Sequence, residues 1–66
     1  MYKAKITEIS KEIYKVNIPS LGLSSVTAHL VIDKGNKPLY SIGDLVIVTE
    51  LNTGEFIILG YVFNGN

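Results

Sequence analysis

The 66-residue chain contains no cysteine, no tryptophan and no arginine. Without cysteine, neither a disulfide nor a thiolate metal site can staple the fold. That matters at this length, where folding hides only about 60% of the surface the unfolded chain exposes. His29 is the single histidine, too few for a histidine-rich metal site. The missing arginine removes the side chain best suited to reading base edges and phosphates bidentately. Six lysines are cancelled by six acids, for a net charge of zero, so no cationic surplus awaits a polyanion. No apolar run approaches the roughly 20 residues of a membrane-spanning helix, and the N-terminus lacks the apolar core of a secretory signal. The expectation is a protein made in the cytoplasm, with no membrane span.

Catalytic signatures are equally scarce. No G-x-S-x-G nucleophile motif, dinucleotide fingerprint or phosphate-binding loop occurs. The carboxylates of Glu8, Glu12, Asp33, Asp44, Glu50 and Glu55 fall among turns and strand ends, where solvated edge charges are common. Asp44, directly after Gly43, suits an Asx turn better than a metal. His29 sits at a polar position of its strand. The chain therefore reads as non-enzymatic, with no cofactor and no metal.

What is abundant is apolar, β-branched and aromatic sequence: 47% of residues are hydrophobic. Tyr2, Ala4 and Ile6 alternate with Lys3, Lys5 and Thr7, the period-two pattern of a half-buried strand. After a break at Ser10, Lys11 and Glu12, a second alternation sets Tyr14, Val16 and Ile18 against Lys15 and Asn17. Pro19 ends it, because proline cannot donate to a ladder. Residues 20–25 form a loop by composition, with Leu21 and Leu23 either tucked against a barrel end or offered to a partner. Val26, Ala28, Leu30 and Ile32 then mark a third strand, and residues 34–38 a turn.

Residues 42–63 form the organising hairpin. Leu45, Val46, Ile47 and Val48 face Phe56, Ile57, Ile58 and Leu59 across Asn52, Thr53 and Gly54. A three-residue loop with Gly54 at positive φ would place Glu50 opposite Phe56, Val48 opposite Ile58 and Val46 opposite Gly60. A two-residue Thr53-Gly54 turn would shift each pair by one. Five strands in so short a chain close as a small all-β barrel, OB-like, spanning residues 1–66 as one domain. The linker before the hairpin leaves the helix usual in that fold absent or reduced. An SH3-like roll is the alternative topology.

Either hairpin register leaves both faces apolar, so cover is needed on both sides. If Leu45, Ile47, Ile57 and Leu59 fill the barrel, then Val46, Val48, Phe56 and Ile58 become an assembly interface. The competing reading is a nucleic-acid-binding or ribosome-associated barrel, using Tyr14 and Tyr40 as stacking platforms and Lys15 as a backbone contact.

Ile42-Gly43-Asp44-Leu45-Val46-Ile47-Val48, then Asn52-Thr53-Gly54, then Ile57-Ile58-Leu59-Gly60 resemble the last two strands of the OB modules of phage tail hub proteins, the baseplate spikes and their VgrG relatives. Tyr14-Lys15-Val16-Asn17-Ile18-Pro19 is similar to that family's second strand. The chain lacks the family's tryptophan-bearing middle loop and its fused spike or lysozyme domain. The resemblance implies a minimal structural component of a phage or prophage tail or baseplate. Such a component would self-associate as a trimer or ring, contact other tail proteins, and end in a virion or tail-like particle.

Overall fold

A computed structural model describes residues 1–11, 13–31 and 39–62. Five strands, β1 (Tyr2–Ser10), β2 (Ile13–Ile18), β3 (Leu23–Leu30), β4 (Leu45–Asn52) and β5 (Glu55–Tyr61), close into a barrel in the order β1-β2-β3-β5-β4. Neighbours are antiparallel except β3 and β5, which run parallel. This is the OB-like barrel expected, and the parallel seam sets aside a roll built from successive antiparallel hairpins. The described residues between β3 and β4 contain no helix, and no helix among the described residues is long and apolar enough to cross a membrane.

Side-chain alternation builds the core. Ala4 and Ile6 from β1, Tyr14, Val16 and Ile18 from β2, Ala28 from β3, Val46 and Val48 from β4, and Phe56 and Ile58 from β5 are all at most 4% exposed. No polar or charged residue is buried among the described residues. At the parallel seam Ala28 lies opposite Phe56, so a small residue leaves room for the largest one. The Tyr2 ring meets Phe56 edge-on, with centroids 6.4 Å apart.

Closing so few strands needs strong coiling, which bulges supply by adding a residue to one strand and raising the local twist. Ile6 opposes Val16 but Glu8 opposes Lys15, leaving Thr7 as the extra residue. Its hydroxyl donates to the Lys15 carbonyl at 3.3 Å. On β3 the register slips between Val26 and Leu23, where Ser25 takes a φ of 53°. The Ser25 amide finds its partner in the Asn17 side-chain oxygen at 2.9 Å.

The hairpin tip combines both expected registers. Asn52 pairs with Glu55 across Thr53 and Gly54, and a bulge at Leu51 restores Glu50 opposite Phe56 and Val48 opposite Ile58. Gly54 has a φ of 81°, the left-handed conformation that only glycine adopts without strain. A further bulge at Leu59 then puts Val46 opposite Tyr61, where Gly60 was expected, and Ile47 opposite Gly60.

The third strand starts at Leu23, three residues before the expected Val26. The loop before it is a 3-10 turn, Pro19–Leu21, closed by the Gly22 amide donating to the Pro19 carbonyl at 3.0 Å. Leu23 packs on the core, as a leucine tucked against the barrel end would, while Leu21 is exposed. Glu12, Ile32, Asp33, the turn at 34–38 and the tail at 64–66 lie outside the described residues.

Two substitutions test this account by equilibrium urea unfolding. Phe56→Ala empties the centre of the core and is expected to cost about 3–5 kcal/mol. Gly54→Ala forces a Cβ into the left-handed region and is expected to cost about 1–2 kcal/mol. A loss below 1 kcal/mol for Phe56→Ala would mean that the barrel is not packed around that ring.

Candidate functional site

The outer wall has two contrasting sides. On β2 and β3 the outward positions beyond Ile13 are mostly polar, and several bond to side chains on a neighbouring strand. The Lys15 ammonium donates to the Thr27 hydroxyl at 3.1 Å. His29 Nε2 lies 3.0 Å from a Glu55 carboxylate oxygen, bridging the parallel seam. Both partners are partly exposed, so the pair adds little to stability.

On β4 and β5 most outward positions are apolar, Thr49 and Glu55 excepted. Leu45, Ile47 and Ile57 are half-buried, while Leu59 is 48% and Tyr61 55% exposed. This corrects the expected interface. Val46, Val48, Phe56 and Ile58 are at most 1% exposed inside the barrel, so no partner can reach them. The hairpin does have two apolar faces, but the outward one is Leu45, Ile47, Ile57 and Leu59.

The residues named for nucleic-acid stacking do not form a platform. Tyr14 is 4% exposed because the even positions of β2 point inward. Tyr40 packs edge-on against it, with centroids 6.1 Å apart and planes at 86°. Lys15 is engaged with Thr27. The Tyr14 ring is closed to a ligand, and the Tyr40 ring is partly buried against the core.

Asp44 takes the turn role expected of it. Its carboxylate accepts from the Ser41 amide at 2.8 Å, and its own amide donates to the Ser41 carbonyl at 3.1 Å. Gly43, with a φ of 97°, sits where such a turn requires positive φ. Ile6 ties this turn to β1, donating to the Asp44 carbonyl at 3.0 Å and accepting from the Gly43 amide at 2.7 Å. Among the described residues, no three His, Asp or Glu side chains gather as metal ligands.

Two features escaped the sequence reading. The His29–Glu55 pair joins residues 26 apart in the chain, through a parallel seam that no local pattern announces. A groove of about 480 Å³ runs along the start of β1, bordered by Tyr2, Lys3, Lys5, Pro19 and Leu45. Its only signal was Pro19, which ends the β2 ladder, so that the Pro19–Leu21 turn rather than a strand lies beside the start of β1.

Burial, followed by the neighbouring Tyr14 phenol, raises the Tyr40 pKa above its ordinary value. The folded protein therefore holds this proton at a pH where the unfolded chain has lost it. The stabilisation is complete below the ordinary tyrosine pKa of about 10 and fades as pH rises towards the raised value. Unfolding free energies measured from pH 8 to 11 should fall less steeply for Tyr40→Phe than for the unaltered protein. Equal slopes would show that Tyr40 is as solvated folded as unfolded.

The chain matches no protein-family model, no curated protein and no solved structure.

Proposed function

We propose that the protein is a non-enzymatic structural module that assembles with copies of itself through the outer face of the β4–β5 hairpin. The observation that carries this is the apolar strip of Leu45, Ile47, Ile57 and Leu59, continued by Tyr61, on a barrel whose interior is already full. These side chains are partly covered, so finishing their burial is worth about 1 kcal/mol each. Five of them supply a useful share of the cost of association, although area does not convert directly into affinity. The specific setting we propose, a phage or prophage tail or baseplate with a trimer or ring around its axis, is supported by the resemblance of the strand motifs to tail-hub barrels.

The rival reading, a barrel that binds single-stranded nucleic acid, has weak support. The tyrosines it would use are packed in or against the core, and the lysines are balanced by acids.

Size-exclusion chromatography with light scattering separates these readings. Self-association through an apolar strip is expected at both 0.15 and 1 M salt, and the double substitution Ile57→Lys with Leu59→Lys should leave a folded monomer. A protein that stays monomeric at high concentration, or that binds an oligonucleotide with a steep salt dependence, sinks the proposal.

A further inference from the structure

β1 changes neighbour along its length: residues 2–5 oppose β4, and residues 5–10 oppose β2. Successive residues of a strand aim their N–H and C=O groups to opposite sides. Ile6 bonds through both its amide and its carbonyl to Asp44 and Gly43 on the β4 side. By alternation, Ala4 and Tyr2 also serve β4, while Lys5 and Lys3 face the other way. Lys5 meets Asn17 of β2 there. Lys3 would need a partner at Pro19, which has no N–H and whose carbonyl is turned to accept from Gly22. The backbone amide and carbonyl of Lys3 therefore face a groove with no backbone partner among the described residues.

That groove is shaped for a strand. Its walls are largely apolar, from Tyr2, Ala4, Pro19 and Leu45, and the side chains of Lys3 and Lys5 stand exposed at its rim. Neither lysine has a carboxylate partner among the described residues. A donor and an acceptor at strand spacing select an extended backbone, and two free ammonium groups select carboxylates.

We propose that this edge docks an extended acidic segment of another protein, which adds to the barrel as a short strand beside Lys3. The chain's own five strands are all committed to the closed barrel, so none is free to fill the groove in a second copy. The docking does not depend on assembly through the β4–β5 strip, and its readout is peptide binding rather than oligomeric state.

The probe is the acetylated and amidated peptide Glu-Val-Glu-Val-Glu-Val, titrated into ¹⁵N-labelled protein. Shifts are expected at the amides of Lys3, Ser20 and Leu45, with slowed hydrogen exchange at Lys3. Two control peptides, one N-methylated at alternate amides and one with Lys in place of Glu, should bind at least tenfold more weakly. The double substitution Lys3→Glu with Lys5→Glu should reverse the preference between the Glu and Lys peptides. Absence of shifts at millimolar peptide, or equal binding of the N-methylated peptide, overturns the proposal. So does protection of the Lys3 amide that grows with protein concentration alone, because a second copy would then be the occupant.

Discussion

The barrel's interior has room for one face of the β4–β5 hairpin, and much else in the molecule follows from that limit. Ten side chains fill the inside, and the Tyr14 phenol is the one polar group they carry. Phe56 is the bulkiest of the fully buried residues, and the structure makes space for it with Ala28 opposite and Tyr2 against its edge. Once Phe56 points inward, alternation takes Ile58 with it from β5, cross-strand pairing with Ile58 brings in Val48, and alternation along β4 brings in Val46. The outward face of the hairpin is fixed by the same choice. It is the one carrying Thr49 opposite Ile57 and Gly60 opposite Ile47, so the less demanding face meets solvent.

Bulges reconcile that core with closure. Thr7 lets β1 bend away from β2 while keeping Ile6 inside and bringing Ile9 to pack against the core beyond it. Ser25 does the same for β3, at the cost of a left-handed non-glycine residue that the Asn17 side chain helps to hold. At the hairpin tip the Leu51 bulge absorbs the difference between a two-residue turn and the register the core needs. In each case a local departure from strict pairing preserves the inward alternation, as expected when one face of each strand must stay dry.

The legible parts of this protein were those governed by alternation and turn chemistry. Tyr14, Val16 and Ile18 reveal their shared side because Lys15 and Asn17 separate them, and Gly54 and Asp44 announce their turns by residue type. The hairpin's inner face was not legible, because both of its faces are apolar and period two offers no contrast between them. The misassigned interface at Val46, Val48, Phe56 and Ile58 follows from that ambiguity. The alternative stacking role for Tyr14 ran against the pattern of β2, which already set Tyr14 on the apolar side with Val16 and Ile18. The His29–Glu55 contact and the open edge at Lys3 depend on which strands become neighbours, and this is decided by closure rather than by any local stretch of sequence.

Satisfaction of polar groups divides the outer wall by what it can offer a partner. Small barrels of this architecture commonly use the β2–β3 face for ligands. Here that face is engaged with itself: Lys15 with Thr27, Asn17 with the Ser25 amide, and His29 with Glu55. A ligand there would have to displace bonds already made and recover only their equivalent, which leaves little net gain. Among the described residues, the outward side chains of Lys3, Lys5, Leu45, Ile47, Ile57 and Leu59 have no such bonds. Leu45, Ile47, Ile57 and Leu59 retain apolar surface, and the β1 edge beside them retains a backbone donor and acceptor, with Lys3 opposite Ile47 and Lys5 opposite Leu45. Free energy remains to be gained where interactions are unfinished, which is why both proposals place recognition on the β1–β4–β5 side.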